Sequence, residues 1–215
     1  MIRRAGIILY FLFACHLSAA AAVAQDWRHV RWVNDGDTIV LLNGKSVRYI
    51  GVNSTEINHE EKTAEPFGYA AKKTNESMVK PGKIRLEFDK RQYDHYGRLL
   101  AYIFLEDGTF VNSRLLEEGV AYYYFKKPNL KYSRILLQSQ RKAMKGQKGF
   151  WQKWHAQKAN FTANKKSKRF HLPTCPFGQK ISPKNRVYFS TKWDAFWAGY
   201  APAGKCQPVF TIPLE

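Results

Sequence analysis

Four short stretches carry the residue types best suited to chemistry. Asp35-Gly36-Asp37-Thr38 sets two carboxylates on either side of a glycine, and Arg48 follows inside an alternating apolar segment. That segment ends in Asn53-Ser54-Thr55-Glu56, four oxygen-bearing side chains in a row, and Asp94-His95-Tyr96-Gly97-Arg98 opens another apolar run. Phosphodiester cleavage calls for this inventory. Its pentavalent transition state gathers negative charge on equatorial oxygens, which arginine's permanently charged planar fork can hold. A hard cation on oxygen ligands adds to that stabilisation, and an attacking water needs a positioned carboxylate. Each stretch also has a plain explanation. Asp, Gly, Asn and Ser are the common residues of turns, and Arg98 after Gly97 could be a surface charge. The weight lies in their company.

The elements that must hold these residues are mostly strands. Period-two patterns run over 27–33, 38–42, 47–52, 83–88 and 99–105, with β-branched and aromatic residues enriched. Asn43-Gly44 between the second and third is a hairpin signal. Helices are predicted over Pro66–Val79, stopped by Pro81-Gly82, over Asn112–Glu118 with Asn112 as its cap, and over Lys131–Lys145 with Gly146 as its stop. Five short strands with a helix between the third and fourth imply a mainly β, α+β fold. The expected form is a five-stranded oligonucleotide-binding-type barrel with about three helices, followed by a small C-terminal module. Residues 157–169, rich in Lys, Asn, Ser, Ala and Gln, read as a basic linker to a module over 170–215.

Bulk properties narrow the partner and the compartment. The apolar fraction of 45%, with 15% aromatics, is enough for a packed core and excludes a disordered polymer. Thirty-five basic against seventeen acidic residues give a formal charge of +18, which draws polyanions through phosphate neutralisation and counterion release. An exported cationic protein that adheres to anionic surfaces would share that charge. Arg3 and Arg4, the apolar run from Ala5 to Ala14 and the small residues Ala22 and Ala24 compose a secretory signal peptide over 1–24. At about ten residues the apolar run is too short for a membrane span, so no stable insertion is expected. Cys15 lies in the leader, in a stretch with a loose likeness to a lipoprotein processing site. The expected location is periplasmic or extracellular, where Cys175 and Cys206 are most simply a disulfide.

Residues of roughly 30–151 resemble the thermonuclease family, the secreted staphylococcal-nuclease-like enzymes. The resemblance rests on "DGDT", the Arg48-to-Glu56 spacing, "PFGYAA", "DHYGRLLAYI", "VNSRLLEEGVA", "YFKKPN" and a terminal "GFW", in that order. It implies an oligonucleotide-binding barrel over 25–156. It implies that Arg48 and Arg98 stabilise the transition state at phosphate and that Glu56 activates or orients the attacking water. It places Asp37, Asn53 and the Ser54 carbonyl as calcium ligands and Asp35 near the metal. Tyr96, Tyr123 and Tyr124 fall where family tyrosines contact nucleotide, with a one-residue gap at the latter pair. Two positions depart from the family pattern: Asn53 stands for the usual Asp and Thr55 for the usual Pro. An amide oxygen still coordinates Ca²⁺, but one charge is missing. The tail is similar to the zinc-binding module of Ada-type DNA-repair methyltransferases, whose four ligands would fall at His171, Cys175, Ala203 and Cys206. Ala203 cannot bind a metal, and a structural zinc wants four ligands, so zinc is not expected there.

The expectation is an exported, calcium-assisted endonuclease acting on DNA and on RNA with little sequence specificity, monomeric and without a protein partner. The alternative is a catalytically weak or inactive nucleic-acid-binding module. Joint retention of Arg48, Glu56 and Arg98 favours the enzyme.

Overall fold

The computed structural model describes residues 26–55, 57, 66–80, 82–152, 154 and 158–204. The signal peptide, Glu56, Cys206 and Pro81 lie outside them. Strands β1 (Trp27–Val33), β2 (Thr38–Leu41) and β3 (Ser46–Tyr49) form a meander whose β2–β3 turn holds Asn43-Gly44, as the hairpin signal predicts. Strand β4 (Val52–Ser54) then leaves the barrel. Helix α1 (Gly68–Val79) leads to β5 (Lys83–Glu87) and β6 (Leu99–Leu105). The order β1-β2-β3-β6-β5 closes into a barrel, with β3 parallel to β6 and the other pairs antiparallel. The five expected strands are therefore the five barrel staves. Their inward residues, Ile39, Val47, Tyr49, Ile84, Ala101 and Ile103, are at most 1% exposed.

The 47–52 segment is not one strand. Gly51 takes φ +75°, which only glycine adopts freely, and a Cβ there would stand 2.5 Å from Leu136 Cδ1. The turn sends Val52–Ser54 out to pair with β7 (Ala121–Tyr123). Helix α2 (Val111–Glu117) precedes β7 and differs from expectation at its start. Phe110 is its cap residue, and Asn112 sits inside the helix, fully buried. Its Oδ1 accepts from Ile103 N–H and its Nδ2 donates to Ile50 C=O. The side chain thus satisfies barrel backbone where a cap would satisfy its own helix.

Helix α3 (Ser133–Lys145) buries Leu136, Ser139, Gln140, Ala143 and Met144 at helical spacing. The Gly149-Phe150-Trp151 turn lies behind it, with Gly149 and Gly119 back to back. Phe150 N–H donates to Gly119 C=O; a Cβ on Gly119 would meet Lys148 C=O, and one on Gly149 would meet Gly119 C=O, each at 2.1 Å.

Within the segment expected as linker, β8 (Phe161–Asn164) forms a four-residue strand. It joins β9 (Arg169–His171), and after helix α4 (Pro176–Gln179) it also pairs with β10 (Arg186–Phe189). Helix α5 (Lys192–Trp197) and β11 (Ala201–Pro202) complete a sheet of order β10-β8-β9-β11. Phe161 and Ala163 are buried while Thr162 and Asn164 are not, a period-two pattern too short to outweigh its lysine-rich flanks. This sheet shares a core with the barrel. Tyr122, Ala143, Met144, Phe150 and Trp151 pack with Phe161, Phe170, Ala195 and Phe196. Gln140, fully buried, accepts from Tyr123 N–H and donates to Phe196 C=O, and Arg141 Nε donates to Trp197 C=O. No helix among the described residues is long and apolar enough to cross a membrane.

Candidate active site

The Asp35–Thr38 turn is held from three sides. Asp35 Oδ1 accepts from Asp37 N–H at 2.9 Å, an Asx bend that fixes the turn. Asn75 of α1 donates to Asp35 C=O and accepts from the Tyr49 hydroxyl. Burial, above all, raises the Tyr49 hydroxyl's pKa, so it stays a neutral donor. Gly36 is needed for space. A Cβ there would lie 2.5 Å from Ala71 Cβ and 2.6 Å from Ser54 Cβ, so this glycine lets the turn, α1 and β4 meet.

Asp37 is the hub. It is 5% exposed; its Oδ1 contacts Arg48 Nε at 3.0 Å and its Oδ2 accepts from Ser54 N–H at 2.7 Å. Arg48 lies across from Thr38 on β3, which puts its guanidinium beside that carboxylate. Its Nη1 donates to Tyr49 C=O and Val52 C=O, and its Nη2 donates to Asn53 Oδ1 at 2.8 Å. Four of the five guanidinium N–H groups are therefore placed. Arg48 is also opposite Leu100 in the parallel β3–β6 pair, so the chain entering β6 comes alongside it.

That entry carries Arg98. Asp94 Oδ1 accepts from the Tyr96 and Arg98 N–H groups, and Oδ2 accepts from Arg98 Nε at 2.8 Å. Burial works to raise the Asp94 pKa, but the bonds from Arg98 outweigh it and hold the carboxyl below its ordinary range. Fixed at Nε, Arg98 has no partner for its Nη atoms among the described residues.

These pieces line one cleft of about 270 Å³, whose walls include Asp35, Asp37, Arg48, Asn53, Tyr96, Arg98 and Tyr124. Tyr96 is 73% exposed at the rim. The tyrosine pair divides. Tyr124 lines the cleft, while Tyr123 is 4% exposed, gives its hydroxyl to a hydrogen bond with Ser133 and packs in the core. Tyr124 follows the last residue of β7, and its N–H donates to Gly51 C=O at the turn that leaves the barrel, which sets it beside the cleft. The cleft also holds Arg91, Lys126, Lys127 and Asn129, for which sequence alone suggested no role. Adjacent lysines read as solvated surface. Tertiary bonds bring the two loops together: Asn129 accepts from Arg91 N–H and donates to Arg91 C=O, and Asp89 accepts from Lys131 N–H.

Asp35, Asp37, Asn53 and Ser54 offer only oxygen donors, which suits a hard cation. The fit carries one qualification of chemistry. Asn53 Oδ1 is engaged by Arg48, and Asn53 Nδ2 donates to Ser54 C=O at 3.1 Å and to the Tyr122 hydroxyl. All three expected ligands thus already accept from protein donors: Asp37 from Arg48, Thr38 and Ser54, Asn53 Oδ1 from Arg48, and the Ser54 carbonyl from Asn53. Among the described residues no three His, Cys, Asp or Glu side chains cluster to hold a metal. In the C-terminal sheet His171 Nδ1 is 3.4 Å from Cys175 Sγ, Ala203 packs on Cys175, and Cys175 is disulfide-bonded.

A closed five-stranded barrel presenting two arginines and two carboxylates to one cleft is the arrangement of a phosphodiester-cleaving protein. Residues 46–153 match the family described as staphylococcal nuclease homologue. Over 130 residues the chain is 38% identical to a thermonuclease of Staphylococcus hyicus, covering 59% of this chain and 76% of that one. It is 42% identical over 126 residues to endonuclease YncB of Bacillus subtilis, covering 55% of this chain and 58% of that protein. The chain belongs to the staphylococcal nuclease family and is a nuclease-class hydrolase.

Proposed function

We propose that this protein is an exported endonuclease that hydrolyses phosphodiester bonds of DNA, and of RNA, with little sequence preference and with calcium assistance. The observation that carries this reading is the convergence of Arg48 and Arg98 on one cleft with Asp35, Asp37 and Asn53. Arg98, anchored at Nε, turns its remaining N–H groups to a phosphate, and the last N–H of Arg48 Nη2 takes a second phosphate oxygen. Glu56, two residues beyond the β4 end, takes the proton of the attacking water. Asp37, Asn53 and the Ser54 carbonyl, with Asp35 nearby, would hold a calcium ion, which supplies Lewis-acid stabilisation of charge on the phosphate. Tyr96 and Tyr124 border the substrate. The thermonuclease and endonuclease names of the relatives support the substrate class.

Export rests on the leader-like residues 1–24, and the disulfide-bonded Cys175 agrees with an oxidising compartment. We assign its partner as Cys206, within a C-terminal segment that resembles an Ada-type module without its zinc. The protein acts as a monomer.

The test is digestion of plasmid and of single-stranded DNA and RNA by the mature protein, with Ca²⁺ and with chelator. Calcium-dependent cleavage is expected, and Glu56→Gln should slow turnover by about 10²-fold or more while oligonucleotide binding changes little. Binding without cleavage under every condition would replace the enzyme with the nucleic-acid-binding module.

A further inference from the structure

The C-terminal sheet meets the cleft wall at Tyr124. Arg169, at the start of β9, lies with its guanidinium carbon 3.6 Å from the ring centre of Tyr124, which lines the cleft. The same guanidinium donates to Phe125 C=O at 2.9 Å and to Ser167 C=O and Lys168 C=O. One group therefore ties the β8–β9 turn to the chain that continues as Lys126 and Lys127 into the cleft wall. The turn presents Lys165 and Lys166 to solvent, neither with a side-chain partner among the described residues. Around it the charge is lopsided: between residues 158 and 204 there are nine Lys or Arg and a single acid, Asp194. Such a tract, joined to a phosphate-handling cleft, has the charge and continuity of a backbone track.

We propose that the β8–β9 turn is a second nucleic-acid contact site continuous with the cleft, in which Lys165 and Lys166 bind phosphates of the strand beyond the scissile one. Arg169 is the positioning residue that fixes the turn against Tyr124. The inference rests on the nuclease reading for its ligand. It assigns the C-terminal segment a share in substrate binding that the barrel alone lacks.

Deleting the segment would strip the core around Trp151, so the test uses surface charge. Lys165→Glu/Lys166→Glu touches no side-chain bond among the described residues. Lys45→Glu/Lys83→Glu, at the end of the barrel opposite Asp37, changes net charge equally and serves as control. Binding of single-stranded oligonucleotides of about 4 and about 16 nucleotides is measured in the full chain carrying Glu56→Gln, with chelator, across a salt series. The turn variant should lose about tenfold in affinity for the long strand, little for the short one, and its salt slope should fall by about 1.4, two single-strand phosphate contacts. A turn variant that loses no more than the control overturns the proposal and leaves the nuclease reading intact. If the parent protein binds no oligonucleotide of either length, both readings fall. If the turn variant loses affinity as expected but the protein with Glu56 intact cleaves nothing in Ca²⁺, the track stands and the enzyme does not.

Discussion

Arg98 owes its aim to Asp94. One carboxylate receives the Tyr96 and Arg98 backbone N–H groups and the Arg98 Nε, so the loop and the guanidinium are set together. Asp94→Asn keeps the loop acceptor but loses the charged pair. We expect kcat to fall about tenfold, since small misplacement of a phosphate-binding group is costly, and Lys at 98 should not rescue it, having no fork. The pH dependence follows from the lowered Asp94 pKa. A carboxyl depressed in the folded state stabilises fully above its unfolded value near 4 and loses that contribution as pH falls through the native pKa. Thermal melts of parent and Asp94→Asn proteins should therefore differ at neutral pH and converge in acid. Parallel curves would show that the pair does not couple to folding. At position 53, Asp would restore a carboxylate and withdraw the amide N–H from Ser54 C=O. Calorimetric titration should show Ca²⁺ bound several-fold more tightly by Asn53→Asp. Unchanged affinity would remove this position from the metal site.

Elements meet at the site through contacts too close for any side chain. The turn before β2, helix α1 and strand β4 come together over Gly36. Gly36→Ala forces Ala71 or Ser54 to move and should cost about 1–3 kcal/mol, as overpacking does, or roughly 5 °C in Tm. Activity at a temperature where the variant is folded should fall further than stability accounts for, because Ser54 N–H leaves Asp37. A stable variant with full activity would show that the Asp37–Ser54 bond is dispensable. The same closeness explains the DGDT stretch: its carboxylates serve the cleft, and its glycine serves packing.

In the whole molecule, the barrel and the C-terminal sheet are one core. Gln140 bonds to both, and the aromatic cluster of Trp151, Trp154, Trp193 and Phe196 spans their junction. A disulfide from Cys175 to Cys206 would close a loop of about thirty residues, for which chain entropy gives roughly 3–4 kcal/mol. Mature protein from an oxidising compartment should show no reactive thiol until reduced, then two. Its melting temperature should drop on reduction as a single transition, because the core is shared. Two free thiols in the unreduced protein would overturn the pairing. Two separate transitions would show that the sheet folds on its own.

Local sequence determined the barrel staves, the β2–β3 hairpin, the positions of the three larger helices and the residues gathered at Asp35, Asp37, Arg48, Asn53 and Arg98. Each of these rests on periodicity, on glycine and asparagine turn chemistry, or on a motif whose members lie a few residues apart. Tertiary structure alone decided the rest. Asn112 reads as a cap because Asn favours caps, yet two barrel backbone groups 9 and 62 residues away claim its side chain. Tyr123 and Tyr124 read alike, yet β7 buries the first in the core while the second, just past the strand, lines the cleft. The 157–169 stretch reads as linker because lysines outnumber its two buried apolar residues, yet pairing with β10 makes it a strand. Arg91 and Arg169 carry no local mark, and Lys126 and Lys127 carry a motif but no role. Their placement depends on hydrogen bonds between segments distant in the chain, and only the folded backbone brings those partners within reach.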